Sequence, residues 1–208
     1  MSVLKLWGRL SSINVQKVAW CLDELGLPYE RVEAGGQHGI VNMPEYRALN
    51  PNGLVPTIED DGFVLWESNA IVRYLAAKHP GAGLWPEDLR VRADADRWME
   101  WQSATATPSL RDAFWGLIRT PPEKRDEAAI RTSVRKTDEN MGVLDSWLAG
   151  RTYVAGDTFT AGDISAGCYA HRVLNMPMQV RKCPNVEAWY ERLKQRPGAQ
   201  QVLSLPVT

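Results

Sequence analysis

The first 78 residues alternate short apolar runs with segments that show the spacing of an amphipathic helix. Gly26 and Pro28 follow the first helical segment, where a glycine C-cap and a proline commonly end a helix. The predicted elements are strands over residues 3–7, 29–32, 55–59 and 63–66, and helices over residues 15–25, 44–49 and 69–78. Residues 35–42 form a glycine-rich loop. The order is therefore β-α-β-α-β-β-α.

After this half the pattern changes to helical spacing throughout. Residues 79–83 are rich in turn-forming residues and predict a linker. Helices are predicted over residues 92–118, 123–148, 164–174 and 186–193, and no convincing strand follows residue 89. The sequence thus predicts a mixed α/β domain over residues 1–78, a linker over residues 79–86 and an all-helical domain over residues 87–208.

Residues 160–163, Thr-Ala-Gly-Asp, have the form of a helix capping box. Phe159 and Ile164 stand where the two residues of a hydrophobic staple belong. This motif predicts a folding element at the start of a helix and not a catalytic site.

Composition narrows the function classes. The chain has 208 residues, a net charge of −1 and a pI near 6.3, which argues against nucleic acid or an anionic membrane as a partner. There is no apolar run of about 18 residues, and the N-terminus is too mixed for a signal peptide. Cys21, Cys168 and Cys183 lie far apart, which argues against a disulfide framework or a zinc site. We therefore expect no metal and a reducing, cytoplasmic location.

Glu67 and Ser68 stand directly before a predicted helix. A helix N-terminus favours an anion, and the Ser68 hydroxyl could donate to it. The Glu67 carboxylate could hold an ammonium group, so the pair suits the zwitterionic end of an amino acid. The simpler interpretation is ordinary helix capping.

Val55 precedes Pro56 at the head of a predicted strand. If this peptide bond is cis, the N–H and C=O groups of Val55 face outward and can pair with an extended peptide. Only about 5–6% of X-Pro bonds in folded proteins are cis, so the motif alone does not establish it. Together the two motifs favour a small peptide ligand.

The motif Asn-Pro-x-Gly-x-Val-Pro over residues 50–56, followed by Glu-Ser-x-Ala-Ile-x-x-Tyr-Leu over residues 67–75, resembles the cytosolic glutathione S-transferases. Within that family the chain resembles bacterial, serine-type members of theta, phi or beta character. The resemblance covers essentially the whole chain. It implies an α/β, thioredoxin-like βαβαββα domain followed by an all-helical C-terminal domain. It also implies glutathione as co-substrate, no other cofactor, and a homodimer.

The resemblance assigns roles within the first half. Glu67 and Ser68 would hold the γ-glutamyl end of glutathione, Val55 would pair with its cysteinyl unit, and a cis Pro56 would shape the site. In plant-like members a Gln precedes the Val-Pro pair, and Leu54 stands there instead.

The loop before the second helix commonly contributes a contact to the glycyl carboxylate. His38 and Asn42 are the polar candidates in this loop, and neither aligns cleanly.

The chemistry requires a thiolate, because a free cysteine thiol has a pKa of about 8.5 and is a poor nucleophile when protonated. Ser12 stands six residues before the apolar helix position Val18, as the catalytic serine does in serine-type members. Ser11 and Asn14 are the alternatives, and the simpler interpretation is that Ser12 is only the helix N-cap.

The second substrate is expected to be an apolar electrophile bound against the helical half. Trp98, Trp101, Phe114 and Trp115 are the candidate wall residues. Aromatic residues at helical spacing are more often part of the core.

The sequence therefore predicts a glutathione S-transferase. Ser-Ser-Ile at residues 11–13 and Glu67 count against a maleylacetoacetate isomerase, which usually carries Ser-Ser-Cys and Gln-Ser. A glutathione-dependent disulfide reductase or lyase stays open because the fold does not fix the reaction. A non-catalytic glutathione-binding module is the alternative from a different class.

Overall fold

A four-stranded mixed sheet forms the centre of the first half of the chain. The structure is a computed structural model and describes residues 3–208. The strands are β1 (Leu4–Trp7), β2 (Tyr29–Val32), β3 (Thr57–Asp60) and β4 (Phe63–Trp66), in the spatial order β2-β1-β3-β4. The β1–β2 pair is parallel, and the β1–β3 and β3–β4 pairs are antiparallel.

Three helices complete this half and confirm the predicted order. They are α1 (Ile13–Glu24), α2 (Pro44–Leu49) and α3 (Ser68–Lys78). The predicted strand over residues 55–59 is displaced toward its C-terminal end, because β3 begins only after Pro56. Proline has no N–H to donate to a sheet, so the ladder starts at the following residue.

The second half is helical, as predicted. Its helices are α4 (Leu89–Trp101), α5 (Thr107–Phe114), α6 (Glu127–Leu148), α7 (Ala161–Leu174), α8 (Pro184–Lys194) and the short α9 (Gln200–Leu203). Wider π-helical turns over residues 102–106 and 115–119 continue α4 and α5. The predicted helix over residues 92–118 is therefore continuous but alternates between α-helical and π-helical segments. The four-residue α9 was missed because it is too short to show a periodic pattern.

Two helix starts differ from the sequence prediction for a capping reason. The α4 helix begins before residue 92, because the Asp88 carboxylate accepts hydrogen bonds from the N–H groups of Arg90 and Val91. The α6 helix begins after residue 123, because Asp126 is its N-cap. Carboxylates at the N-cap satisfy helix donors that have no intrahelical partner.

The two halves share one apolar core. α1 packs on α3 and also on α7, the most buried helix of the second half. At this junction a Cβ on Gly167 would lie 2.8 Å from Leu193 Cδ1 and 2.9 Å from the Trp20 ring. The absence of a side chain at Gly167 therefore allows α7 to approach α1 and α8 closely.

None of the helices within residues 3–208 is both long and apolar enough to cross a membrane.

Candidate functional site

Ser12 is the residue that precedes α1. Its backbone is extended (φ −90°, ψ 121°), and its carbonyl accepts the first helical hydrogen bond, from the Gln16 N–H at 2.9 Å. Its side chain makes no capping hydrogen bond. Ser12 therefore occupies the N-cap position without using its hydroxyl there, so the hydroxyl is available for another partner.

The start of α1 forms one wall of a cavity of about 380 Å³, which we call the Ser12 cavity. All three candidates for thiol activation reach it. The wall opposite them comes from α5 and the turn that follows. The lining residues are Arg9, Ser11, Ser12, Ile13, Asn14, Thr107, Pro108, Leu110, Arg111, Phe114, Trp115, Arg119 and Arg172.

Of the four predicted wall aromatics, Phe114 and Trp115 line the Ser12 cavity. Trp98 and Trp101 are not among its lining residues. The Trp98 ring contacts Trp101 at 4.9 Å and Trp147 at 5.7 Å between centroids, and Trp101 packs edge-on against Tyr169. Because residues three apart share one face of a helix, both tryptophans lie on the side of α4 that packs against the other helices.

A second, narrow cleft of about 40 Å³ holds the peptide-binding candidates, and we call it the Glu67 cleft. Asn14 belongs to both cavities, so the two adjoin at the start of α1. The lining residues of the Glu67 cleft are Asn14, Asn50, Asn52, Leu54, Val55, Pro56, Glu67 and Ser68.

Glu67 and Ser68 do not act as ordinary helix caps. Glu67 is at the N-cap position of α3 with φ 71° and ψ 110°, and its side chain makes no capping hydrogen bond. The Ser68 hydroxyl donates instead to Asn14 Oδ1 at 3.3 Å. Positive φ at a residue other than glycine is uncommon and occurs preferentially at functional sites. The first N–H groups of α3 are thus left facing a cleft with an exposed carboxylate beside them.

The Val55–Pro56 peptide bond is cis. Within the described part of the chain, the N–H and C=O groups of Val55 make no backbone hydrogen bond. The adjacent carbonyl, that of Leu54, is held by the Tyr46 hydroxyl at 2.6 Å and by Asn50 Nδ2 at 2.9 Å. Tyr46 and Asn50 also contact Thr57 Oγ1, at 2.9 and 3.2 Å.

Tyr46 and Asn50 therefore hold the segment that carries Val55, and sequence analysis did not identify this role. The sequence signal for the role of Asn50 was the Asn-Pro-x-Gly motif before Val-Pro. The asparagine side chain of this motif carries both a hydrogen-bond donor and an acceptor in a tight turn.

Lys17 is a further residue that sequence analysis missed. Its ammonium is buried and donates to Asn69 Oδ1 at 3.1 Å and to Gln102 Oε1 at 3.0 Å, which joins α1, α3 and the π-helical turn after α4. Burial lowers the pKa of Lys17 to about 8, against the opposing effect of nearby carboxylates that include Glu67. A lysine on the buried face of an otherwise apolar helix was the sequence signal.

Four arginines surround the Ser12 cavity: Arg9, Arg111, Arg119 and Arg172. Arg172 is 8% exposed, donates to the Ser11 carbonyl at 3.1 Å and lies 4.3 Å from the centroid of the Phe114 ring. Burial lowers the pKa of Arg172 to about 10, and the guanidiniums of Arg119 and Arg9 act in the same direction. Arg9, Arg172 and the pair Arg111 and Arg119 come from three separate segments, so only the fold brings them together.

His38 and Asn42 lie in the loop before α2. His38 Nε2 is 3.5 Å from Glu33 Oε2, and Asn42 Oδ1 accepts a hydrogen bond from Arg47 at 3.1 Å. Neither residue lines the Ser12 cavity or the Glu67 cleft. Both stay candidates for binding the glycyl carboxylate, and the only support is their position in the loop before α2.

The protein's thiols are poor candidates for the reaction. Cys21, Cys168 and Cys183 are free and buried. Burial raises the pKa of Cys168 to about 12 and that of Cys183 to about 11, and it raises the pKa of Cys21 as well. Among residues 3–208, no three His, Cys, Asp or Glu side chains are grouped as a metal site.

Comparison with known proteins identifies the protein family. Residues 6–83 match the family of the glutathione S-transferase N-terminal domain, and residues 107–197 match that of the glutathione S-transferase C-terminal domain. The chain is 42% identical to the glutathione S-transferase GstB of Escherichia coli strain K12, over 99% of this chain and 100% of that protein. It is 33% identical to the probable glutathione S-transferase GSTF2 of Oryza sativa, over 99% of this chain and 98% of that protein.

Among solved structures, the theta class glutathione S-transferase of Xanthomonas axonopodis pv. citri with glutathione bound has a TM-score of 0.96. It is 43% identical, and the two chains cover each other completely. The protein therefore belongs to the glutathione S-transferase family.

Proposed function

We propose that the protein binds glutathione across the Glu67 cleft and transfers its thiolate to an electrophile in the Ser12 cavity. The thiolate sulfur forms a bond to an electrophilic carbon, the leaving group departs with its electron pair, and the thiol proton passes to water. The enzyme would contribute ionisation of the thiol and the proximity of the two reactants. The observation that carries this proposal is the Ser12 hydroxyl, which lines the cavity and is not used for capping.

The γ-glutamyl end of glutathione fits the start of α3. Its α-carboxylate can accept hydrogen bonds from the first N–H groups of the helix and from the Ser68 hydroxyl, where the helix dipole also favours a negative charge. Its ammonium can pair with the Glu67 carboxylate, which is exposed beside the cleft. One helix start therefore offers a partner to each charge of an amino acid.

The cysteinyl unit fits Val55. Its backbone donor and acceptor are not used by the sheet, so an extended peptide can pair with both. Tyr46 and Asn50 would keep this segment in place through the Leu54 carbonyl. Since the Ser12 cavity adjoins the cleft at Asn14, a peptide bound this way lies beside the candidate activating groups.

Thiol ionisation would depend on a hydrogen bond from Ser12. A hydrogen bond to a charged group contributes about 1.5–3 kcal/mol, and each unit of pKa corresponds to about 1.4 kcal/mol. One well-placed hydroxyl is therefore sufficient to lower the thiol pKa by about one to two units. The N-terminus of α1 adds to the effect. Asn14 and Ser11 stay as alternative donors.

The proposal is tested by binding and turnover together. Wild-type protein should be retained on immobilised glutathione and should conjugate glutathione to chlorodinitrobenzene, and Ser12→Ala should be retained but turn over at least about tenfold more slowly. Retention without turnover on a panel of aryl halides, epoxides and enones would favour the non-catalytic module. Turnover of a glutathionylated disulfide with no conjugation would favour the reductase.

We infer a homodimer and a cytoplasmic location from the family resemblance alone. The dimer is checked by light scattering coupled to size-exclusion chromatography, where a mass near twice the 23.3 kDa of one chain is expected. A mass near that of one chain would contradict the inferred homodimer.

A further inference from the structure

The wall of the Ser12 cavity carries positive charge that no Asp or Glu side chain neutralises, and of its arginines Arg119 donates to the Thr208 backbone oxygen at 2.6 Å. Arg9, Arg111, Arg119 and Arg172 line the cavity, and no Asp or Glu is among the lining residues. None of the four makes an ion pair with an Asp or Glu side chain in the described part of the chain. The chain as a whole has a net charge of −1, so this concentration of one sign is local.

Burying the charged Arg172 guanidinium costs free energy of folding. Its side chain is almost fully buried, and a guanidinium has five N–H donors, of which the structure pairs one, with the Ser11 carbonyl. Buried charges are normally paired, because removing a charge from water is expensive unless a partner compensates. A largely buried guanidinium that has one hydrogen bond and no carboxylate partner, beside a cavity, is therefore a feature that an anionic ligand would satisfy.

The rest of the cavity defines the body of such a ligand. Leu110, Phe114 and Trp115 form the apolar wall. Arg172 and Arg119 lie over the Phe114 ring, at 4.3 and 5.2 Å from its centroid, so the aromatic and cationic surfaces are continuous. An aromatic ring can pack against this wall while an attached anion contacts the guanidiniums.

We propose that the preferred second substrate is an aryl electrophile that carries a carboxylate, with the ring against Phe114 and Trp115 and the carboxylate held by Arg172 and its neighbouring arginines. This inference rests on the proposed function and narrows its substrate class. For an aryl chloride, the glutathione sulfur forms a C–S bond, the C–Cl bond breaks, chloride leaves with the bonding pair, and the thiol proton passes to water.

The competing explanation is that the arginines stabilise the glutathione thiolate itself. The two explanations differ in their substrate dependence. Arginines that act on the thiolate accelerate every electrophile equally, whereas arginines that bind a carboxylate favour only substrates that have one.

The experiment compares 4-chloro-3,5-dinitrobenzoate with the neutral 4-chloro-3,5-dinitrobenzamide. For each enzyme, kcat/KM is divided by the uncatalysed rate constant of the same substrate with glutathione, and the carboxylate-to-amide ratio of these values is the readout. We expect a ratio of at least about ten for the wild type, since hydrogen bonds to a charged group discriminate by about that factor or more. Arg172→Gln should lower the ratio by about tenfold, and Arg172→Lys should lower it less because it keeps the charge.

Two further variants separate folding defects and general charge effects from recognition. Arg111 is exposed at the cavity wall and has no bonded partner in the described chain, so Arg111→Gln should fold normally and lower the ratio by about threefold. Arg135 is exposed on α6 outside the cavity, so Arg135→Gln makes the same charge change and should leave the ratio as in the wild type.

The inference is overturned if the wild-type ratio is near one, or if Arg172→Gln and Arg111→Gln leave the ratio unchanged because they slow both substrates equally. If the wild type turns over neither substrate, the proposed function has failed, and binding decides the inference separately. Quenching of tryptophan fluorescence by unreactive 3,5-dinitrobenzoate and 3,5-dinitrobenzamide then gives the two affinities, with Trp115→Phe to identify the reporting residue. Equal affinities would reject carboxylate recognition.

Discussion

Glu67 is the residue at which unusual backbone geometry and candidate chemistry coincide. Its φ of 71° belongs to a region that costs a residue with a side chain about 1–3 kcal/mol. Its carboxylate has no hydrogen bond or ion pair within residues 3–208, so this conformation does not serve a local contact. We propose that this carboxylate binds the ammonium group of glutathione.

We expect Glu67→Ala to raise the KM for glutathione by about tenfold or more and to change kcat little. A lost hydrogen-bonded ion pair is worth about 1.5–3 kcal/mol, and the ammonium group is equally bound in ground and transition states. Steady-state kinetics with varied glutathione measures both constants. Glu45→Ala, at an exposed position of α2 away from the cleft, is the matched control. A kcat loss with an unchanged KM would contradict the assignment.

At the scale of elements, the segment that carries Val55 is held from the side by α2. The Tyr46 side chain is 1% exposed and its hydroxyl binds both the Leu54 carbonyl and Thr57 Oγ1. These contacts join the helix to the start of β3, so the position of Val55 depends on a side chain that need not touch glutathione itself.

Tyr46→Phe should therefore raise the KM for glutathione several-fold and lower the free energy of unfolding by about 1–3 kcal/mol, because the Leu54 carbonyl loses a buried donor. Kinetics and urea unfolding give the two quantities. Tyr29→Phe removes a hydroxyl that binds Gln201 and Asp23 away from the segment that carries Val55, so it should leave the KM for glutathione unchanged. An unchanged KM in Tyr46→Phe would show that the segment keeps its position without this contact.

The start of α7 is the second element with a specific local cause. The predicted capping box is present, and the buried Asp163 carboxyl accepts from the N–H groups of Val154 and Thr160 and from Trp189 Nε1. Burial raises the pKa of Asp163 to about 6, although these hydrogen bonds act in the opposite direction.

Because the pKa of this carboxyl is higher in the folded protein than its ordinary value of about 3.9, the folded state binds more protons between these two pH values. Its contribution to stability is therefore fully present below about pH 4 and is lost as the pH rises through about 6. Urea unfolding across pH 4 to 7 should show this decline in the wild type.

Asp163→Asn should remove that pH-dependent component and lower stability at neutral pH by about 1–3 kcal/mol, because an amide N–H₂ then faces backbone donors. Asp157→Asn, at an exposed position in the preceding loop, is the control. The same pH slope in wild type and Asp163→Asn would contradict the assignment of this titration.

At the scale of the whole molecule, the two halves are joined by a shared core and not only by the linker. Gly167 on α7 lies against Trp20 of α1 and Leu193 of α8, at distances that leave no room for a methyl group. The mixed domain and the helical domain therefore constrain each other at this crossing.

Gly167→Ala should lower the free energy of unfolding by about 1–3 kcal/mol, because the added methyl group forces α7 away from α1 or distorts the neighbouring side chains. Urea unfolding followed by tryptophan fluorescence and by circular dichroism should give coincident single transitions. Gly81→Ala, where a Cβ has open space, is the control and should change stability by less than about 0.5 kcal/mol. A neutral effect at Gly167 would mean that the halves pack loosely there.

Sequence patterns predicted most elements of the mixed α/β half and of the helical half because these elements show a buried face locally, whereas the strand over residues 29–32 was predicted from the need of a βαβ unit. It could not separate Trp98 and Trp101 from Phe114 and Trp115, since all four follow helical spacing and only the packing of α4 and α5 decides which of them line the Ser12 cavity. The arginines of the Ser12 cavity were missed for a related reason. They come from three separate parts of the chain, since only Arg111 and Arg119 lie on one helix and its continuation, and no local pattern brings the three parts together. The assignment of residues 79–86 as a linker between two domains stays a prediction.

The central claim is that Ser12 ionises bound glutathione, and a pH titration of the thiolate absorbance of the bound tripeptide tests it most directly. We expect a thiolate in the wild type at neutral pH and a thiol pKa about one to two units higher in Ser12→Ala. Ser103→Ala, outside the Ser12 cavity, should behave as the wild type. If wild type and Ser12→Ala titrate alike, Ser12 is not the activating residue and Asn14 or Ser11 takes its place. If no thiolate forms in the wild type, the transferase mechanism itself is contradicted.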